Sequence, residues 1–283
     1  MLTMSEQKSS KLNQLLNWLP DNAVVDAATL EERGYASNLR TKYLHSNWLS
    51  SPTRGVFTRP GNKLTWQSVV YSLQTLMSKD VLVGGRTALE FKGYTHYLEL
   101  SGERTIRLYA DTALPAWLSK LPELDAKFET RRPDRLFGSG NMKAVCLAYR
   151  TASKMGAASL DVEAFEWGRP GQAILISTLE RAVLELLETL PDGDSFHQVD
   201  LVFEGLSSLR PRNMQALLER CRSVKTTRLF FFYARRHQHG WLKYLDEASV
   251  DLGHGKRSIV PGGALDPHYL ITVPSELAGQ GAR

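Results

Sequence analysis

Short helical segments and a glycine-containing hairpin fill the first sixty residues, and their order limits the fold more than any other feature of the sequence. Apolar residues at i, i+3, i+4 and i+7 predict the first helix. These residues are Leu12, Leu15, Leu16 and Leu19. Pro20 follows directly and is predicted to end this helix.

Two further helices are predicted close behind the first. Asp26 is a suitable N-cap for a second helix that runs to about Arg33. Gly34 can end that helix because glycine accepts a positive φ. Ser37 is predicted to cap the third helix after a turn of only a few residues. The inner face of the third helix is expected to carry Leu39, Tyr43, Leu44 and Trp48.

Residues 49–61 predict a hairpin with a tight turn at Arg54-Gly55 and a return strand that Pro60-Gly61 ends. Helix, helix, short turn, helix and hairpin is the order of a winged helix-turn-helix. We therefore expect an α+β protein. Residues 1–62 would form a winged helix-turn-helix DNA-binding domain, and residues 63–283 a larger mixed α/β domain.

The distribution of charge is more informative than the net charge of +5, which by itself indicates little. Residues 33–79 contain no Asp or Glu, although 30 acidic residues in 283 would place about five in a stretch of that length. The basic residues of this stretch are Arg33, Arg40, Lys42, Arg54, Arg59, Lys63 and Lys79.

A surface without carboxylates suits a polyanion, because Lys and Arg contacts to phosphate supply much of the affinity for DNA. Asn38 and Arg40 are suited to the edges of adenine and guanine. Ser37, Thr41 and Lys42 are expected at phosphates. The predicted DNA-binding set is Ser37, Asn38, Arg40, Thr41, Lys42, His45, Arg54 and Arg59, the last two on the wing. Winged helices also serve as protein-binding modules, so that alternative stays open.

The rest of the chain predicts alternating helices and strands, with helices gathered late. Ser177 is expected to cap a strongly apolar helix that runs through Leu190. Other helices are predicted at 66–77, 196–206, 211–222 and 226–238. A short helix is predicted after Gly84-Gly85, through Ala88, Leu89 and Phe91, and Gly93 is expected to end it. Extended segments are predicted at 97–100, 105–109, 127–131, 160–166, 173–176, 258–260 and 270–273.

No catalytic, cofactor-binding or metal-binding residue is predicted. Residues 138–143 are rich in glycine but lack the Ser or Thr that completes a phosphate-binding loop, so a surface turn is expected. Pro133-Asp134 is not followed by an acidic-x-Lys strand, which argues against a restriction-type nuclease. We therefore do not expect an enzyme.

The location follows from what the sequence lacks. The two cysteines, Cys146 and Cys221, form no CxxC pair and are expected to be reduced thiols, although a disulfide stays possible. No apolar run is long enough to span a bilayer, and residues 1–10 have no signal-peptide core. A cytoplasmic protein without a membrane partner is expected.

Three segments, in order, resemble motifs of the AbiE-type antitoxins of type IV toxin-antitoxin systems. Gly85 to Leu98 resembles the segment that joins the two domains of that family, and Ile176 to Leu187 resembles a helix start, with Leu179 where the family has proline. Val250 to Gly253, Gly255 to Arg257 and Asp266 to Tyr269 resemble its C-terminal end.

The resemblance implies an antitoxin that binds inverted repeats in its own promoter and represses its own operon. It implies a functional partner similar to nucleotidyltransferases, the toxin, which the antitoxin need not contact directly. The alternative is a transcription regulator whose C-terminal domain senses a ligand. An enzyme with a DNA-targeting module is a third possibility, and turnover of nucleic acid would distinguish it.

Overall fold

The computed structural model describes residues 4–61, 63–94, 104–122, 124–154, 158–168 and 171–278. The N-terminal domain contains α1 (Met4–Trp18), β1 (Val24–Asp26), α2 (Ala27–Glu32), α3 (Ser37–His45) and β2 (Val56–Thr58). The strands β1 and β2 pair antiparallel, and Ser50 forms an isolated antiparallel bridge with Thr58. The chain between Ser50 and β2 is a loop.

Local signals in the sequence explain most of these boundaries. An oxygen of Asp26 accepts a hydrogen bond from the backbone N–H of Thr29 at 2.9 Å, so the predicted cap of α2 is confirmed. Gly34 follows α2 with a φ of +79°, the left-handed conformation that glycine adopts without strain. The cap of α3 is Ala36, not Ser37, which is the first helical residue.

The predicted hairpin is only partly correct. Its return strand is β2, but β2 pairs mainly with β1, which the sequence did not predict because three residues are too few to show a period. In place of the predicted approach strand, the structure has only the single bridge between Ser50 and Thr58. Trp48 was expected inside but is 45% exposed, because α3 ends at His45 and Asn47 turns the chain with a φ of +55°.

The larger part of the chain begins at α4 (Trp66–Tyr71), which continues into a π-helical turn at Ser72–Leu76. Its remaining strands are β3 (Val81–Val83), β4 (Thr105–Ala110), β5 (Lys127–Arg131), β6 (Val162–Glu166), β7 (Ala173–Ser177), β8 (Ala264–Asp266) and β9 (Ile271–Val273). Its remaining helices are α5 (Gly85–Phe91), α6 (Asp134–Phe137), α7 (Asn141–Lys154), α8 (Leu179–Glu188), α9 (Phe196–Glu204), α10 (Pro211–Arg220) and α11 (Val224–His237), with 3-10 turns at Ala116–Lys120, Leu242–Tyr244 and Glu247–Ser249.

A five-stranded sheet in the order β5-β4-β3-β7-β6 organises this part. The pairs β3–β7 and β4–β5 are parallel, whereas β3–β4 and β6–β7 are antiparallel. α4 covers one face through Trp66 and Val69, and α7 covers the other through Met142 and Cys146. The prediction of an α+β protein with a larger mixed α/β domain is confirmed.

A second core lies among α5, α8, α9, α10, α11 and the C-terminal segment. α8 is at its centre, and its residues 179–187 are all buried. The predicted cap at Ser177 is wrong, because Thr178 precedes the helix and the Ser177 hydroxyl donates instead to Glu185 at 2.9 Å. Residues 258–260 are not a strand, and the predicted strand at 97–100 lies outside the described residues.

The π-helical turn joins the two parts of the protein. The Ser72 hydroxyl oxygen accepts a hydrogen bond from the Val24 N–H of β1 at 2.9 Å. Two residues later, the Gln74 amide donates to the Leu175 carbonyl at 3.0 Å and accepts from the Leu175 N–H at 2.8 Å. The same turn therefore binds the N-terminal domain on one side and the central sheet on the other.

Both cysteines are buried free thiols, and burial raises the pKa of each to about 11. Because the thiolate is the nucleophile, we expect neither Cys146 nor Cys221 of the folded protein to react with DTNB at pH 8. The same titration in guanidinium chloride should release two equivalents per chain. A rapidly reacting thiol in the folded protein would show that one of these sites opens readily.

Candidate nucleic-acid interface

The exposed face of α3 carries most of the side chains that the sequence predicts at DNA. This exposed set is Ser37, Asn38, Thr41, Lys42 and His45. The opposite face is anchored by Tyr43, which is buried against the N-terminal core. The Thr41 hydroxyl donates to the Ser37 carbonyl at 3.0 Å, which leaves its oxygen free to accept. The helix therefore presents one polar face to solvent.

Arg40 points away from this face. Its Nη1 donates to the Tyr35 carbonyl at 2.6 Å and to the Ala27 carbonyl at 3.5 Å, and it forms an ion pair with Glu31. Its side chain is only 12% exposed. In this arrangement the guanidinium links α3 to α2 and does not face solvent. The predicted contact of Arg40 with guanine stays a prediction.

The two arginines predicted on the wing differ in the same way. Arg54 is exposed in the loop between Ser50 and β2, beside Gly55, whose φ of +77° makes the turn. Arg59 follows β2, forms an ion pair with Asp21 at 2.5 Å and donates to the Leu16 carbonyl at 3.4 Å. Arg59 therefore ties the end of β2 to the first helix.

The acid-free stretch consequently contains two kinds of cation. Arg40 and Arg59 are neutralised by Glu31 and Asp21, which both precede the stretch in sequence. Lys42 and Arg54 are exposed, and no carboxylate lies within 4.0 Å of either among the residues that the structure describes. Part of the uncompensated positive charge is thus on the exposed face of α3 and on the loop that precedes β2. Arg33, Lys63 and Lys79 are exposed as well.

Two further exposed side chains of this part of the chain were not predicted as candidates for the interface. The Arg33 guanidinium lies 4.0 Å from the centre of the Trp18 ring, at the end of α1. Trp48 extends the surface past the end of α3. The exposure of Trp48 could have been predicted only from Asn47, because asparagine tolerates the left-handed conformation that here turns Trp48 outward.

Comparison with known families identifies the chain. Residues 8–100 match the N-terminal domain model of the transcriptional regulators described as AbiEi antitoxins, and residues 103–274 match the model of the AbiEi antitoxin of type IV toxin-antitoxin systems. The chain belongs to the AbiEi antitoxin family. The resemblance seen in three sequence motifs is thereby confirmed, and family members are antitoxins and transcriptional regulators.

Solved structures agree with this fold. The crystal structure of the RV2827C protein from Mycobacterium tuberculosis superposes with a TM-score of 0.51. The alignment covers 94% of this chain and 90% of that protein's chain. The two sequences are 12% identical, so the likeness concerns the fold alone. No curated protein matches the chain.

Two of the motif arginines of this AbiEi-family chain, Arg86 and Arg181, form ion pairs with buried carboxylates. Arg181 is fully buried, and its three nitrogens donate to Glu185, Asp161 and Asn141 at 2.8–2.9 Å. Arg86 forms an ion pair with the buried Asp194 at 3.6 Å. These contacts give both arginines a structural role.

Within the described ranges, no group of three or more His, Cys, Asp or Glu side chains is arranged to hold a metal ion. No helix in those ranges is long and apolar enough to cross a membrane.

Proposed function

We propose that the N-terminal domain is a winged helix-turn-helix that binds double-stranded DNA at inverted repeats in its own promoter and represses its own operon. The observation that supports this proposal most is the exposed face of α3. It carries Asn38, Lys42 and His45, contains no carboxylate, and lies on the same domain as the exposed Arg54.

The proposed docking places α3 in the major groove. An α-helix of nine residues is about 13 Å long, and the groove admits a helix of this diameter. Asn38, near the start of α3, would reach a base edge, and Ser37, Thr41, Lys42 and His45 would lie along the phosphates. Arg54 on the wing loop would contact the neighbouring backbone.

Arg40 and Arg59 have a different part in this proposal. Their hydrogen bonds to main-chain carbonyls hold α3 against α2 and β2 against α1. They would fix the angle between the recognition helix and the wing, so that both reach one duplex. Their substitution would weaken binding by altering the domain.

The larger domain is proposed to supply the antitoxin activity against a toxin similar to nucleotidyltransferases. The family identity supports this proposal, and a type IV arrangement requires no direct contact between the two proteins. We propose no catalysis by this chain and a cytoplasmic location, where its operator lies. Growth rescue of cells that express the adjacent toxin gene tests this half of the proposal.

Lys42→Ala and Arg54→Ala are expected to weaken binding to the operator by similar factors for specific and unrelated sequences. Each variant removes about one phosphate contact, so the slope of log K against log salt should become shallower by about one. Fluorescence anisotropy with a labelled operator duplex at several salt concentrations measures both effects.

The matched control is Arg212→Ala, which removes an exposed arginine from α10 in the larger domain. It should leave the affinity and the salt slope of the full chain unchanged. Equal effects of Arg212→Ala and Lys42→Ala, or no effect of either α3 or wing substitution, would contradict the proposed interface.

A further inference from the structure

A basic groove lies in the larger domain, between the end of β5, α6 and the junction of α8 with α11. It consists of two adjoining concavities of about 330 Å³ and 380 Å³, which share Arg135 and Glu188. These volumes are at the lower end of the range for small-molecule sites. A groove of this size admits a small molecule or a chain end and is too small for a duplex.

The second concavity carries an excess of positive charge. It is lined by Arg135, Arg222, Lys225 and Arg257, with Glu188 as its one acidic lining residue. No carboxylate lies within 4.0 Å of Arg135, Arg222 or Arg257 among the described residues. All three arginines are exposed to solvent, so their charge is available to a ligand.

Glu188 forms no ion pair with these arginines, because Lys225 and the first turn of α11 engage its carboxylate. The hydroxyls of Ser223 and Thr226 each donate to Glu188 Oε2 at 2.6 Å. Lys225 lies 3.5 Å from the other oxygen. The acid is therefore satisfied within the protein, and the three arginines retain their charge.

The first concavity is lined by hydrogen-bonding side chains of both kinds, among them Arg131 and Asp134. Arg131 Nη2 donates to Glu129 at 2.6 Å, and Asp134 Oδ2 lies 3.2 Å from Arg132. About a third of each side chain is exposed to solvent, so a ligand can reach both the guanidinium and the carboxylate.

We propose that this groove binds a nucleoside polyphosphate. Arg135, Arg222 and Arg257 hold its phosphates, since guanidinium groups bind phosphate oxygens in bidentate fashion. The Arg131 guanidinium donates to an acceptor on the edge of the base, and the Asp134 carboxylate accepts from a neighbouring amino or imino group. Gly138 leaves room for the Arg222 guanidinium, since an added Cβ there would lie 2.6 Å from Arg222 Nη1.

Isothermal titration of the full chain with ATP, GTP, CTP and UTP, and with inorganic tripolyphosphate, tests this assignment. At least one nucleotide is expected to bind saturably with one site per chain, and more tightly than tripolyphosphate. Arg135→Gln, Arg222→Gln and Arg257→Gln should each weaken binding by about tenfold or more, as expected for the loss of a charged hydrogen bond.

Three further variants make the test specific. Asp134→Asn should change the preference among bases and should not weaken tripolyphosphate binding, because it removes a negative charge that pairs with Arg132. Arg54→Gln on the wing loop and Arg212→Gln on α10 should leave nucleotide binding unchanged. The titration contains no DNA, so its failure would leave the proposed repressor function standing.

Other outcomes would decide the matter as follows. No saturable binding up to about 1 mM nucleotide, or equal binding by all arginine variants, would overturn the proposal. Tripolyphosphate that binds as tightly as every nucleotide would overturn the assignment of the base contacts. A short RNA with a 5′-triphosphate that binds through the same arginines, and more tightly than the free nucleotide, would support the chemistry and identify the RNA end as its source.

Discussion

Arg181→Met is expected to lower the free energy of unfolding by about 3–5 kcal/mol, as for other buried charges that lose a partner. Arg181 and Glu185 are both fully buried and joined at 2.8 Å, and Asp161 and Asn141 complete the set around the guanidinium. Methionine fills much of the same space but leaves the Glu185 carboxylate without its main counter-charge. Urea denaturation followed by circular dichroism measures the loss.

The size of this loss should depend on pH. Burial raises the pKa of Glu185, and the nearby Arg181 lowers it. Without Arg181, the folded state holds a proton on Glu185 that the unfolded state releases. A raised folded-state pKa gives stability that is lost as pH rises, so the variant should be least impaired at acid pH.

Two controls separate the buried cluster from a general effect of charge. The double variant Arg181→Met, Glu185→Leu should recover much of the stability, because no isolated charge remains. Arg235→Ala breaks an exposed pair with Glu247 and should cost at most about 1 kcal/mol. If Arg181→Met lowered the free energy of unfolding as little as Arg235→Ala, the cluster around Arg181 would have to be accessible to water.

Phe203→Ala is expected to destabilise the protein by about 3–5 kcal/mol, the usual range for a fully buried phenylalanine. Its ring stacks on Tyr233 at a centroid distance of 5.1 Å and meets Phe230 edge-on at 5.9 Å. Alanine would leave a cavity between α9 and α11 that these rigid rings cannot close. Urea denaturation again provides the measurement.

Tyr244→Ala is the matched aromatic control, because its side chain is 67% exposed. Its removal should change the free energy of unfolding by no more than about 0.5 kcal/mol. If Phe203→Ala were tolerated equally well, the packing between α9 and α11 would have to rearrange to fill the space.

The sequence predicted the longer elements well because they carry many residues of one period. β5 was predicted with its observed ends, and α8, α9, α10 and α11 were each placed within a few residues. α2 was predicted from its cap and its glycine stop. In each case the signal is local, which is why it can be read without knowledge of the tertiary contacts.

Elements with weak local signals were missed. β1 and β3 have three residues each and take their conformation from the strands beside them. α7 is the exception, because Met142, Val145, Cys146 and Tyr149 have the spacing of a helix and its 14 residues were still missed. The turn expected over 138–143 is limited to residues 138–140, since α7 begins at Asn141. The π-helical turn at Ser72–Leu76 was predicted as ordinary helix, because its distinguishing hydrogen bonds leave no mark on the apolar period.

The candidate interface shows the same limit for side chains. Residue type and position on a helix predicted an exposed face with Ser37, Asn38, Thr41 and His45, and the structure agrees. They could not show that Arg40 turns back to Glu31, nine residues earlier, or that Arg59 reaches Asp21. Counting charges along one stretch of sequence overestimates the net positive charge of its surface when carboxylates of a neighbouring segment form ion pairs with it.

The π-helical turn has a consequence for how such proteins can diverge. Its Ser72 hydroxyl serves β1, its Leu76 packs in the N-terminal core, and its Gln74 is bonded to β7. If recombination replaced only residues 1–62, the new N-terminal domain would face the Ser72 hydroxyl and the Leu76 side chain, which fit the original domain. A different N-terminal domain could therefore be acquired with its contacts intact only if this turn came with it. Selection for a new operator sequence would then also act on the residues of the turn, which do not approach the operator.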